Sequence, residues 1–533
     1  MYILGIHASF TALTHDPSAC LMKDGKILGA LEEERLNRIK TSIGYFPYRS
    51  IENLLKVNNI NINQIGLIVT TGVNHKDMKE KVKSAFIHAY GFCPKIKLVH
   101  HALAHVAGTY FSSGFKDSLI LSVDGMGDKL ATMVAEGKNG KINEIYRGDN
   151  TKGQLESLGA FYAMFTEFLG FKKTEGEYKL MGMAAYGKKI YNLDHIIKVQ
   201  NTPFKINLNK NLFVPWNVSS NFQPEVNYNY LNKFFLPKKS GEENFKQHHF
   251  DLAKSVQLKY EEILIKIIKK FKKNHTNLSF AGGCGLNCLA NSKLDKIFEN
   301  LYVMPASSDR GLSIGCAYLG FYNLKKKVYK IQDMFLGLKY SKNQIEGILK
   351  TSKIKFKKCN STQRAADDLI KGKIVGWFKG RSEFGPRSLG ARSILAKANL
   401  SGMKKKINSR IKFREKFRPF APVMLYDFAK KHGIYKEYPF MTVATFPNKD
   451  LATKLKETVH FDGSTRIQTV REKKHPLYSL LKELEKKGYD PVLINTSFNI
   501  SGEPIVENPR DAVRTYMSCG IDTLYIEDYK VIK

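Results

Sequence analysis

Two histidines four residues apart are the first sign of chemistry in this chain. In HHALAHVAGTYFSSGF, His101 and His105 lie in a helix-compatible stretch, so both imidazoles project from one face, a turn apart, and can close on a single metal ion. A pair of satisfied or solvated histidines is the plainer alternative. His100 has no such partner, because Ala104 stands four residues on. Two carboxylates could complete a site: Asp124 in SVDGMGD and Asp309 in PASSDRGLSIG, each close after a predicted strand. A nitrogen and oxygen ligand set without thiolate suits iron, zinc or manganese better than copper or a cluster. Such a metal polarises a carbonyl oxygen. Nearer the start, FTALTHDPSACL sets His15 beside Asp16 in a tight turn. A carboxylate beside an imidazole sets its tautomer and stabilises the imidazolium, which a general base for a hydroxyl needs; a turn-capping pair is the bland alternative. EEERLNRIK then packs three acids before Arg35, Arg38 and Lys40, cations that either decorate a charged helix or hold a phosphate.

The last third of the chain carries a different signal. Basic and amide residues recur next to glycine, proline and aromatic residues: Arg381, Arg387 and Arg392 in GRSEFGPRSLGARS, Lys412 and Arg418 in INSRIKFREKFRPFAP, Arg466 in DGSTRIQTV, and Asn495, Ser497 and Asn499 in LINTSFNISGEP. A guanidinium held in fixed geometry matches phosphate or carboxylate oxygens in pairs. Several converging cations repel one another by several kcal/mol unless something anionic binds. An anionic ligand such as a phosphate is the economical explanation, and bonding to loop carbonyls is the structural one.

The elements that must position these residues follow from pattern. YILGIHAS, a polar turn and SACLMKDGKILGALEE read as a strand and a hairpin turning at Asp24-Gly25, and DSLILSVDGMGDKLATMVAEG reads as a second hairpin. Two such units, each followed by helical segments, outline an actin-like α/β fold. NLSFAGGCGLNCLANSKL reads as strand, glycine loop and helix, a place where backbone N–H groups face an anion. The lysine-rich stretch from Leu324 to Asn343 is the candidate boundary, dividing the chain into 1–340 and 341–533. Beyond it, GKIVGWFKG and YDPVLINTSFN read as buried strands, and AADDLIKG and LYSLLKELEKKG as amphipathic helices. No sequence repeat is visible.

Composition bounds the rest. A chain of 533 residues exceeds one core, and 43% hydrophobic residues suffice for packed interiors. Seven scattered cysteines suggest a reduced, cytoplasmic protein. No window reaches the ~18 apolar residues that cross a bilayer, so neither export nor membrane insertion is expected. The formal charge of +36 raises the question of nucleic acid, but runs such as IKIIKKFKK read as solvated helix faces, and no aromatic-basic stripe accompanies them.

In order along the chain, HDPSA, EEERxxRxK, HxxxH, SVDGxGD, GEYKLMGMAAYG, AGGCGLNCLAN, SSDRGLSIG, EFGPRSLGARSIL, FREKFRPFAP, HFDGSTRIQTV and LINTSFN with GEPIV make a set that resembles the O-carbamoyltransferases of antibiotic and nodulation-factor biosynthesis. The resemblance implies an actin-like first domain that transfers a carbamoyl group and a YrdC-like second domain that makes carbamoyl adenylate from carbamoyl phosphate and ATP with magnesium. It implies iron, held by His101, His105, Asp124 and Asp309. It implies an adenylation pocket of Arg387, Lys412, Arg418, Arg466, Asn495 and Ser497, nucleotide contacts at Gly282, Gly283 and Asn287, and His15 as base with Lys40 nearby. The expected partner is a small-molecule hydroxyl acceptor, with a homo-oligomer possible; a tRNA-modifying threonylcarbamoyl-type transferase is the alternative. Cys284 and Arg310 depart from the family pattern, the second bringing a cation toward the metal.

Overall fold

The computed structural model describes residues 1–11, 14–149, 156–213, 225–236, 244–322, 324 and 328–533. It divides into two units, Met1–Ala30 with Ser42–Gln332, and Leu31–Thr41 with Asp333–Lys533. Residues 325–327 of the expected boundary stretch lie outside the described residues.

The first unit is built on two five-stranded sheets. Strands β1 (Tyr2–His7), β2 (Ser18–Lys23), β3 (Lys26–Glu32), β4 (Ile65–Thr71) and β5 (Ile96–Val99) lie in the order β3-β2-β1-β4-β5. β1 pairs antiparallel with β2 and parallel with β4. It is buried on both faces, which is why the ILGI run between Tyr2 and His7 is apolar and does not alternate. β2 and β3 are joined by Asp24 and Gly25, at φ 46° and 81°, the paired left-handed residues of the hairpin turn that Asp-Gly favours. The second sheet holds β6 (Asp117–Gly127), β7 (Leu130–Lys138), β8 (Lys141–Asp149), β11 (Asn277–Ala281) and β12 (Asn300–Val303), in the order β12-β11-β6-β7-β8. β9 (Ile197–Asn201) and β10 (Phe204–Leu208) form a separate pair.

The two sheets repeat one plan. Three strands meander antiparallel, and two more add in parallel to the other edge of the first strand. This duplicated order is the actin-like topology expected, although no residue repeat announces it. A helix follows the last strand of each sheet, His101–Ser113 after β5 and Leu312–Tyr322 after β12. These helices touch backbone to backbone, since a Cβ on Gly315 would overlap the Ala104 carbonyl.

The second unit is a mixed eight-stranded α/β sheet. Strands β13 (Lys355–Lys358), β14 (Val375–Phe378), β15 (Arg392–Lys397), β16 (Ala421–Leu425), β17 (Gln468–Val470), β18 (Val492–Ser497), β19 (Thr523–Ile526) and β20 (Tyr529–Ile532) take the order β13-β20-β19-β14-β15-β18-β16-β17. Amphipathic helices Ser361–Ile370 and Tyr478–Lys486 bury Leu369, Leu480 and Leu481 against it. Burying a side chain the size of Leu or Phe stabilises by roughly 1.5–3 kcal/mol. β18, with Leu493 and Ile494 in that core, is therefore a rigid carrier for Asn495 and Ser497.

Candidate metal centre and anion pocket

In the first unit, one group of His, Cys, Asp and Glu side chains among the described residues can hold a metal ion. It is His101, His105, Asp124 and Asp309, whose donor atoms all lie within 4.8 Å of one another. The histidines project from the start of helix His101–Ser113, Asp124 comes from β6, and Asp309 opens the short turn before Leu312–Tyr322. His101 Nε2 stands 3.1 Å from Asp124 Oδ2 and 3.5 Å from Asp309 Oδ1, and His105 Nε2 is 3.5 and 3.6 Å from the same oxygens. Burial opposes charge on these imidazoles, yet the two carboxylates outweigh it and raise both histidines. Asp309 is held well below the usual carboxylate range by the histidines in spite of its burial. His105 Nε2 is buried and has no hydrogen-bond partner. A buried orphan donor or acceptor is costly unless something satisfies it, and a four-donor N/O set suits iron, zinc or manganese. The residues present fit a metal ion.

The surroundings brace this centre. Asp128, left-handed at φ 48°, accepts the backbone N–H of His101 at 2.8 Å and of Gly72 at 3.2 Å, fixing the helix start. Gly283 N–H donates to Asp124 Oδ1 at 3.0 Å, so the glycine loop orients a carboxylate of the centre. Gly282, at φ 89°, lies so close to Val123 that a Cβ there would overlap its carbonyl. Asn287 caps helix Cys288–Ile297 by accepting the Ala290 N–H and pairs its amide with Gln257 at 2.9 and 3.0 Å. Its side chain is committed to the fold. His7, at the end of β1, was not singled out in the sequence. Its Nε2 donates to the His15 carbonyl at 3.0 Å and lies 3.7 Å from Asp309; burial lowers it to about 4, which keeps the ring neutral.

His15 Nδ1 is 3.3 Å from Asp16. Burial works against its charge, but Asp16, Asp309 and Asp124 together raise it to about 9. The ring carries a proton at neutral pH unless those carboxylates are neutralised. Arg310, expected to bring a cation toward the metal, turns instead onto Asp16, with Nη2 at 2.6 Å from Oδ1 and Nε at 3.3 Å from Oδ2. A carboxylate in bidentate range outcompetes a site already rich in imidazole. Glu177, from GEYKLMGMAAYG, is near enough for its charge to be felt by His15, and burial raises it.

In the second unit Lys412 closes a π-turn, Asn408–Lys412, and is buried. Its Nζ donates to Ser497 O (2.6 Å), Ser497 Oγ (3.2 Å), Asn499 O (3.0 Å) and Asn499 Oδ1 (2.7 Å). No carboxylate is among these partners. Burial pushes Lys412 well below the usual lysine range, and the nearby Arg414 and Arg418 add to the shift. Asn495 donates to Ser388 O at 3.1 Å and to Gln468 Oε1 at 2.8 Å, and Gln468 donates to Leu389 O at 2.8 Å. These bonds tie β18 to the loop bearing Arg387 and to the strand two residues beyond Arg466. Asn495 Oδ1 and Arg466 Nε are buried without partners. Arg418 lies 3.4 Å from Glu415. Asn499 and Arg414 complete the surroundings of Lys412; Asn499 stood within the NTSFN string, and Arg414 within INSRIKFREKFRPFAP, where only Lys412 and Arg418 were singled out.

Several cations have other duties. Arg381 donates to the Gly337 and Leu336 carbonyls. Arg392, fully buried, donates to the carbonyls of Glu507, Gly380 and Leu338 and stacks on Phe378 at 3.6 Å. Arg35 and Arg38 likewise bond loop carbonyls. In these bonds the four take the structural role set against phosphate binding, and Arg35 Nε also meets the Glu32 carboxylate. Lys40, half-buried, falls in the Leu31–Thr41 segment grouped with the second unit, while His15 belongs to the first.

A metal-capable imidazole and carboxylate centre on a duplicated α/β fold, followed by a second α/β unit with a buried lysine bonded to neutral oxygens, defines a two-unit enzyme class. Residues 87–318 match the family described as Carbamoyltransferase N-terminus, and residues 366–533 match Carbamoyltransferase C-terminus. The protein sll1178 of Synechocystis is 30% identical over 100% of this chain and 97% of its own. Nodulation protein NolNO of Sinorhizobium fredii is 30% identical, covering 97% of this chain and 79% of that protein. The chain belongs to the carbamoyltransferase family and is a transferase. Among solved structures, full-length HypF in its phosphate- and nucleotide-bound form shares 12% identity at a TM-score of 0.36, over 62% of this chain and 56% of that one, a likeness that adds nothing to the strand order. No helix among the described residues is long and apolar enough to cross a membrane.

Proposed function

We propose that this transferase is an ATP-dependent O-carbamoyltransferase that makes carbamoyl adenylate in a YrdC-type second unit and passes the carbamoyl group to a hydroxyl of a small molecule in the first. The observation that carries the reading is Lys412, a buried ammonium offered to neutral oxygens alone, with Arg414 and Arg418 close by. Such a group calls for an anion. Water opens carbamoyl phosphate to carbamate and phosphate, with a proton lost to solvent; a carbamate oxygen then attacks the α-phosphorus of magnesium ATP as the bond to pyrophosphate breaks. Lys412, Arg418, Arg466 and Arg387 neutralise the phosphoryl oxygens, and the unsatisfied Asn495 Oδ1 and Arg466 Nε supply hydrogen-bonding positions. In the first unit the acceptor hydroxyl oxygen attacks the carbamoyl carbon, the bond to AMP breaks, and His15 takes the hydroxyl proton. A metal bound by His101, His105, Asp124 and Asp309, with iron the expected ion, would polarise the carbamoyl oxygen. Neutralising those two carboxylates also brings His15 down from about 9, toward the range of a useful base. Gly282 and Gly283 stand where nucleotide contacts are expected, with the Gly283 N–H engaged by Asp124.

Pyrophosphate release from ATP tests this directly. It is expected to require carbamoyl phosphate and to fall by about 100-fold or more in Lys412→Ala or Arg466→Ala, the scale of losing one preorganised charge contact. His101→Ala with His105→Ala should keep pyrophosphate release and stop carbamoylation of a candidate alcohol, read by mass spectrometry. Release that ignores carbamoyl phosphate, or full activity in Lys412→Ala, overturns the reading.

A further inference from the structure

The segment Leu31–Thr41 groups with the second unit although its neighbours in sequence, Ala30 and Ser42, belong to the first. Glu32 and Arg35 within it are only 3% and 2% exposed. Burying such charges is costly unless their bonds are made, and the bonds are specific. Arg35 Nε meets Glu32 Oε2 at 3.0 Å, Arg35 Nη2 donates to the Gly385 carbonyl at 2.6 Å, and Gly385 N–H donates to Glu32 Oε1. The pair thus grips both polar groups of one residue. Arg38 spreads its fork over two successive carbonyls, Ile505 at 2.6 Å and Pro504 at 2.8 Å.

Both gripped loops run into the anion pocket. Gly385 precedes Arg387 by two residues and Ser388 by three, and the Ser388 carbonyl receives Asn495 Nδ2. Pro504 follows Glu503, whose carbonyl receives Asn499 Nδ2 at 2.6 Å, and Asn499 Oδ1 in turn receives Lys412 Nζ. The Arg38 guanidinium thus holds the Pro504 carbonyl, Pro504 is joined covalently to Glu503, and from the Glu503 carbonyl hydrogen bonds run through Asn499 to Lys412 Nζ. We infer that Glu32, Arg35 and Arg38 are positioning residues for the anion pocket of the second unit, a clasp that sets where Arg387 and Lys412 stand without touching substrate. Charge-assisted bonds to carbonyls are short and directional, which suits them to fixing loops. The activity half of the test below rests on the adenylation reading; the labelling half does not.

The experiment uses full-length Arg38→Ala and Arg38→Lys. Brief acetylation with a water-soluble N-hydroxysuccinimide ester, read by peptide mass spectrometry, compares Lys412 with Lys259, a lysine 7% exposed in the first unit that serves as the folding control. In Arg38→Ala, Lys412 is expected to label about tenfold faster, the factor one charge-assisted hydrogen bond is worth in a local opening equilibrium. Lys259 should not change. The kcat for carbamoyl-phosphate-dependent pyrophosphate release should fall in parallel. Arg38→Lys keeps one donor point and should lie between. Lys412 labelled at the wild-type rate overturns the inference, and so do Lys412 and Lys259 rising together, which marks general loosening. A wild-type protein that releases no pyrophosphate defeats the adenylation reading and leaves the labelling result to decide the clasp.

Discussion

An imidazole set between two carboxylates holds a proton until something else supplies the positive charge. His101 and His105 are raised by Asp124 and Asp309, and Asp309 is lowered in return. A metal binds neutral imidazole, so its entry must displace those protons. The sign follows: as pH falls, protons compete better for the histidines and affinity weakens. Ferrous or manganous ion added to metal-stripped protein in weak buffer is therefore expected to acidify the solution. At a hundredfold excess over Kd it should raise Tm by about 5 to 10 °C, the equivalent of about 2.7 kcal/mol for a domain of a few hundred residues. His101→Ala should lose both effects; acidification that persists in it would place the metal elsewhere. At this scale the shared face of His101 and His105 was legible because helical spacing encodes it. Their meeting with Asp124 and Asp309 is a tertiary fact that only the order of motifs hinted at. His7 was illegible, since one histidine ending an apolar strand has no spacing to betray it, and Arg310 was misread because its partner Asp16 lies 294 residues away.

Elements set these residues by close approach. Asp24-Gly25 was readable as a hairpin because both positions need positive φ and that dipeptide tolerates it. The equivalent turn between β6 and β7 uses Asp128 and Lys129 at φ 48° and 64°, without a glycine, and its aspartate is retained as the brace of the His101 helix. Gly127, just before this turn, faces the other constraint: a Cβ there would fall within the His101 ring. Gly127→Ala should displace the imidazole and weaken metal binding by roughly 10–100-fold, the usual range for a residue that orients a ligand, as measured by competition with a chelator. Unchanged affinity would show that the His101 ring is free to shift. The two hairpin units were legible, but no residue repeat marks the duplication, because strand order and pairing repeat while the residues filling each strand answer to different neighbours.

For the molecule as a whole, charge is the loudest feature of the composition and the least tied to its proposed chemistry. The run IKIIKKFKK falls in helix Gln247–Phe271 up to Phe271, and this helix buries Ile263, Leu264, Ile267 and Ile268 and leaves Lys266, Lys269 and Lys270 exposed, the solvated face its spacing suggested. A net +36 nevertheless attracts anions over a distance set by ionic strength, and the Debye length shrinks to about 8 Å at physiological salt. Two effects can then be separated. Exposed lysines act on encounter and are screened, whereas the bonds of buried Lys412 act on the bound state and are screened little. Raising salt from about 0.05 to about 0.3 M should therefore raise KM for carbamoyl phosphate and ATP several-fold and leave kcat nearly constant. Changing Lys266, Lys269 and Lys270 together to Gln should soften that dependence without touching kcat. A kcat that falls with salt as steeply as kcat/KM would mean that screened charge takes part in the chemical step, and the buried pocket would then not be where the adenylate forms.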